Sequence, residues 1–308
     1  MQYIAFDERA PDTQYRDLLT RIILEGEDVD SQQEARARRI IGHTMRFRLD
    51  NGFPLITERD MSGGAKSVFN QTLGEMRAFW LMGARTLRQL EAEGCHFWAP
   101  WGTEEKCRKR GLESGDLGPG SYGPALRAFP TEDGTPFDQV RHVLEQAAQL
   151  PHLRTHFISP WIPQYIGRGT DTKTGKKKQQ RVVVAPCHGW VHLFLNPETK
   201  TLKLHHFQRS GDVPVGVACN LIGYAALTMM FAAALGYEPV EYIHTISDAH
   251  IYLEQMPEVE AMLATEPQRF PTVTLDPNVK DFFQFVPEHF TLEDYHPRLS
   301  RRRIWTPV

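Results

Sequence analysis

Four cysteines in 308 residues are few, and none stands in a Cys-x-x-Cys pair or near histidines at ligand spacing. Neither a disulfide-stapled secreted scaffold nor a structural metal site is expected, and with no signal-like start the setting reads as reduced and cytoplasmic. No Gly/Ser-rich linker divides the chain, so residues 1–308, 41% hydrophobic, read as one domain. A net charge of −3 exerts no global pull toward nucleic acid or membrane. The longest apolar run, opened by Leu221, stops near Leu235-Gly236 and reads as a buried helix too short to span a bilayer. The glycines of 115–123 lack a following Lys-Ser/Thr, which excludes a nucleoside-triphosphate loop.

What is present concentrates between residues 185 and 224. Cys187 follows Val182-Val183-Val184, a β-branched run that places it at the end of a strand. A thiol there is either a buried structural cysteine or a nucleophile, and the second role needs a cationic neighbour such as Arg209 or His188. The turn Asn196-Pro197-Glu198-Thr199 and the alternation after it predict a hairpin ending at Arg209. There the Arg209 fork and the Ser210 hydroxyl suit a phosphate, or else Arg209 and Asp212 form a solvated charge pair. Asn220, just before the apolar helix, reads as an N-cap, or as a side chain that donates and accepts at the edge of a pyrimidine.

Pro186-Cys187-His188, Gln208-Arg209-Ser210-x-Asp212, Gly216, Asn220, Tyr224-Ala225 and His244-Thr245-x-x-Asp248-Ala249-His250-x-Tyr252 together resemble the thymidylate synthase family. Gly42-His43-x-Met45-Arg46-Phe47, Gly52-Phe53-Pro54-Leu55, Trp98-x-x-Trp101 and Gly115-Asp116-Leu117-Gly118-Pro119 extend the likeness over nearly the whole chain. The resemblance implies an α+β fold, a mixed β-sheet packed with helices whose sheet forms a homodimer interface. It implies a nucleotide and 5,10-methylenetetrahydrofolate as co-substrates, with no nucleic acid and no membrane as partners.

By the same resemblance Cys187 is the nucleophile, with Arg209, Asn220 and Tyr122 around it. Arg209 and Ser210 hold phosphate, His250 and Tyr252 the sugar, and His188 lies on the substrate side. Trp98, Trp101, Asp212, Val215, Gly216 and Cys219 wall the folate, with Asp212 meeting the pterin. Arg154 reaches the partner's phosphate, while its neighbour Thr155 stands where the family has a second arginine. The family's loop arginine falls on Gln32, inside a charged loop from Gly26 to Arg39, where a shifted Arg36 or Arg38 could substitute. The family's proton-relaying glutamate falls on Met76 of a helix over 67–82, with Glu75 one residue earlier. One residue turns a side chain by about 100°, so Glu75 serves only if that helix is locally wound differently. Residues 168–180, with Lys176-Lys177-Lys178, form an extra loop that either is simply solvated or returns positive charge to the site.

These residues imply addition of Cys187 to C6 of the pyrimidine and one-carbon transfer to C5. Cys219, smaller than the family's aromatic, loosens the wall for water, which favours 5-hydroxymethylation over methylation. Asn220 favours uracil over cytosine. A relative that binds nucleotide or RNA without turnover is the remaining reading.

Overall fold

A computed structural model describes residues 2–31, 34–63 and 66–308. Helix α1 (Gln14–Glu25) buries Tyr15, Leu18, Leu19 and Ile22, the helically spaced stripe visible in the sequence. It leads into β1 (Glu27–Asp30) and β2 (Arg36–Arg48). The charged loop expected over 26–39 is therefore mostly an antiparallel pair. Its register sets Glu27 opposite Arg39, Asp28 opposite Arg38 and Asp30 opposite Arg36. Such cross-strand ion pairs hold an edge strand without apolar alternation, which is why hydrophobic periodicity misses it. Gln32 lies outside the described residues.

Helix α2 (Val68–Met76) runs into a π-turn at Arg77–Leu81, where Met82 N–H reaches back to Arg77 O. Short helices α3 (Leu87–Ala92), α4 (Glu104–Arg108) and α5 (Tyr122–Arg127) carry the chain to α6 (Gln139–Gln149), which Asp138 caps by accepting from Arg141 N–H. Then follow β3 (Phe157–Ile158), β4 (Trp190–Asn196), β5 (Thr201–Asp212), α7 (Ala218–Leu235) and β6 (Glu238–Tyr252). Helix α8 (Met256–Leu263) and the small ribbon of β7 (Thr272–Leu275) with β8 (Phe290–Glu293) complete the chain.

The main sheet has six strands in the order β1-β2-β6-β5-β4-β3. All pairs are antiparallel except β5 with β6, which run parallel because α7 crosses over between them. The predicted hairpin is β4–β5. Along β5, Leu202, Leu204, His206 and Gln208 face the core while Lys203 and Phe207 face out. One continuous core extends from Tyr15 to Ile304.

Two local expectations fail. No strand precedes Cys187, because residues 181–188 are irregular and are tied to the glycine-rich turn through Val183 N–H to Leu117 O. Asn220 is not an N-cap: α7 begins two residues before it, behind a π-turn (Val213–Val217) that Asp212 caps through Val215 N–H. Together that turn and α7 span 23 residues, Val213–Leu235, long and apolar enough to cross a bilayer, so the run is longer than it reads in sequence. Its most apolar stretch is 83% buried inside the protein, which makes it the core helix of this fold.

Candidate active site

A cavity of about 1880 Å³ opens where β5 and β6 end, walled by α2, the 97–101 segment, residues 166–180 and the C-terminal tail. Fifteen of the sixteen site residues expected from sequence line it: Glu75, Trp98, Trp101, Tyr122, Cys187, His188, Arg209, Ser210, Asp212, Val215, Gly216, Cys219, Asn220, His250 and Tyr252. Arg154 does not. It is exposed beside β3, its carbonyl paired with His192 Nε2 at 3.0 Å, and Thr155 turns to Gln146.

Cys187 is fixed by its backbone rather than by a strand. Its N–H donates to Tyr122 Oη at 2.7 Å, and its carbonyl accepts from Arg209 N at 2.8 Å. The Arg209 guanidinium donates to Pro186 O at 2.7 Å and Ala185 O at 2.9 Å, and its Nη2 stands 3.3 Å from Cys187 Sγ. Burial pushes the thiol up, and Arg209 pulls it back only in part, so the lowering expected from the arginine does not prevail. The half-buried Cys219 has its thiol pushed up to about 12, by desolvation and then by Glu75. Among the described residues, of the two cavity thiols only Cys187 has a cation within hydrogen-bond distance.

Glu75 is buried with Oε1 2.6 Å from Trp98 Nε1. The condition set by the sequence is met, because the π-turn takes up one residue beyond regular winding and lets Glu75 face the cavity while Met76 packs in the core. Burial raises its carboxyl to about 7, with the Trp98 bond opposing. A carboxyl so poised exchanges protons at neutral pH.

Asn220 is 6% exposed, and its amide has no hydrogen-bond partner among the described residues, which leaves it free toward a ligand. His188 stacks on Tyr122 at 4.4 Å and meets Tyr224 Oη at 2.6 Å through Nδ1. Burial, then Arg209, holds His188 down to about 3, so it is neutral and cannot serve as the thiol's counter-cation. Trp98 and Tyr122 meet edge to face at 5.7 Å, and Lys106 Nζ lies 5.0 Å above Trp101.

Asp212 is less available than expected. Its carboxylate accepts from Gln255 Nε2 (3.1 and 3.1 Å), Thr306 Oγ1 (2.8 Å) and Val215 N–H (3.3 Å), so it anchors the tail as well as lining the cavity. Ser210 Oγ donates to Asp248 Oδ2 at 3.0 Å, and His250 Nδ1 lies 3.4 Å from Asp248 Oδ1.

Neither Arg36 nor Arg38 replaces the loop arginine: Arg38 forks onto Asp28, Arg36 faces Asp30, and neither lines the cavity. Arg39 does line it, opposite His250 in the β2–β6 register, while its guanidinium also donates to Glu27 at 3.0 and 2.9 Å. Strand parity would have found it, since Ala37 and Arg39 share a face that Arg36 and Arg38 do not. Arg59, also on the wall, had no recognised signal, and Gln208, on the wall as well, stood in the sequence motif without a role assigned to it. The insertion contributes Arg168, Lys177 and Lys178 to a rim shared with Lys106, Arg110 and Arg301–Arg303.

Among the described residues no group of three or more His, Cys, Asp or Glu could hold a metal ion. The wall of Phe97, Trp98, Trp101 and Val215 with the Glu75 carboxyl suits a flat, partly apolar heterocycle bearing polar edges, as a pterin does. Residues 13–303 match the family profile described as thymidylate synthase.

Proposed function

The chain belongs to the thymidylate synthase family, and from that premise we propose a specific member reaction, 5-hydroxymethylation of a uridylate-type nucleotide. At the level of the family, it is a folate-dependent one-carbon transferase acting at C5 of a pyrimidine nucleotide. The observation that carries the nucleophile's role is the 3.3 Å contact between Arg209 Nη2 and Cys187 Sγ inside a cavity that also holds Asn220 and Glu75.

In this reading Cys187 adds to C6 of the ring and C5 becomes nucleophilic, which splits a hard substitution into two feasible steps. Arg209 offsets the cost of the buried thiolate, and Asn220 pairs with the O4/N3 edge. Glu75, near its midpoint at neutral pH, relays protons through its free oxygen. His250 and Tyr252 bind the sugar, and Ser210 with Arg209 and Arg39 binds phosphate, while Arg154 serves a partner's site in a homodimer. Methylenetetrahydrofolate supplies the one-carbon unit against Trp98, Trp101, Val215, Gly216 and Cys219. The short Cys219 side chain leaves room for water at the reacting carbon, which favours the hydroxymethyl product over methylation of dUMP. Four free cysteines suit a reducing, cytoplasmic setting, and residues 1–308 act as one catalytic domain.

Incubation with dUMP, UMP, dCMP or CMP plus methylenetetrahydrofolate, followed by mass measurement, tests the reaction. A hydroxymethyl gain on uridylate supports the proposal, a methyl gain replaces it with the synthase reaction, and no gain leaves a binding protein. Cys187→Ala abolishes turnover and retains nucleotide binding; surviving turnover removes the nucleophile.

A further inference from the structure

His206 lies on β5 with its side chain fully buried, three residues before Arg209 and behind the loop that carries Cys187. Its Nε2 is 3.0 Å from Gly189 N, and a backbone N–H can only donate. Nε2 is therefore bare and Nδ1 carries the proton. That Nδ1–H is buried without a hydrogen-bond partner among the described residues. Burial, with the nearby His244, His188 and His205, holds the ring far below the ordinary imidazole range, consistent with the neutral tautomer.

A leucine would fill this place without leaving a donor unpaired. Among the described residues the one polar contact the ring makes is the one to Gly189, two residues after Cys187. Gly189 has φ +106°, open to glycine and strained for other residues, and lies just before β4, so its amide is held by this contact and not by a strand ladder. The His206 ring is itself clamped by stacking on Tyr224 at 3.5 Å and 13°, and Tyr224 Oη holds the intervening His188.

We propose that His206 is a positioning residue for the nucleophile: its neutral imidazole accepts the Gly189 amide and fixes the Cys187-His188-Gly189 loop so that Sγ stays against Arg209. Tyr122 holds the loop from one side and His206 from the other. The proposal rests on the reading of Cys187 as the nucleophile.

The test compares the full-length protein with His206→Leu, which removes the acceptor, and His206→Gln, whose amide oxygen reaches the same place. The readouts are the rate of Cys187 alkylation by iodoacetamide, resolved by peptide mass spectrometry, and kcat and KM for the nucleotide. His206→Leu is expected to slow alkylation and kcat roughly 10- to 100-fold with nucleotide KM within about twofold, because small displacements of a reacting group cost rate rather than binding. His206→Gln is expected to restore most of both. Should His206→Leu fail to fold, His206→Asn, too short to reach Gly189, takes its place with the same expectation. Wild-type alkylation and kcat in the acceptor-less variant, or equal losses in the Gln variant, overturn the role. Cys187→Ser is the control: if it turns over normally the nucleophile assignment falls, while the alkylation rates of the His206 variants still decide whether His206 positions the thiol.

Discussion

Glu75 has a carboxyl near neutrality because burial raises it to about 7 and a single bond from Trp98 opposes only part of that rise. The folded protein therefore keeps a proton that the unfolded chain releases above the ordinary 4.5, so folding stability falls as pH climbs from 4.5 to 7 and that contribution is gone above 7. Glu75→Gln, which never ionises, is expected to exceed wild type in urea-unfolding stability at pH 8 by up to about 3 kcal/mol and to match it near pH 4.5. The same variant is expected to lose roughly 10²- to 10⁴-fold in kcat, the usual contribution of a proton-transfer group, while nucleotide binding persists. Equal turnover would exclude the relay. At this scale the sequence was most legible where chemistry demands rare neighbours, as with Cys187, Arg209 and Asn220. It was least legible where a common residue matters through its place in a strand. Arg39 looks like Arg36 and Arg38 until the register assigns it a face, and His206 reads as one more alternating core position.

Among the elements, the π-turn at Arg77–Leu81 decides whether the carboxyl before it faces the cavity. Counting residues along a regular helix puts the family's carboxyl position on Met76, whereas Glu75, one residue earlier, is the carboxyl that lines the cavity; periodicity assumes uniform winding, and nothing in Arg77-Ala78-Phe79-Trp80-Leu81 announces a wider turn. Deleting Ala78 is expected to convert the turn to regular helix with Glu75 still facing inward. Activity should stay within about tenfold of wild type; inactivity equal to Glu75→Gln would show that the turn does not absorb the residue. The tail is the second element with a measurable part. Thr306 binds Asp212, Gln255 Nε2 donates to Trp305 O at 2.8 Å, and Arg302 pairs with Glu258 at 2.7 Å. Thr306→Val removes one charge-assisted bond, roughly 1.5–3 kcal/mol. We expect KM for folate to rise about tenfold or more while KM for nucleotide holds; the reverse pattern would detach the tail from the folate side. The edge pair β1–β2 escaped the sequence for the opposite reason from the π-turn, since its order comes from charge pairing rather than apolar repetition.

On the whole molecule, the sheet turns one face to α7 and the core and leaves Phe157, Phe194 and Phe207 exposed with His192 and His205 on the other side. Exposed aromatics grouped on one sheet face mark an association surface, and we expect a dimer there with Arg154 delivered to the neighbouring cavity. Phe207→Lys is expected to give monomers by sedimentation and to raise KM for nucleotide; a monomeric wild type would sink both the surface and the Arg154 assignment. The parallel pairing of β5 with β6 has a broader consequence. Ser210 lies opposite Asp248 and Asp212 opposite His250, so the residues proposed for phosphate and for sugar and the anchor of the tail are rungs of one ladder. Engineering of substrate choice would therefore progress by exchanging whole rungs, and a library varied along one strand alone would mostly sample mismatched halves.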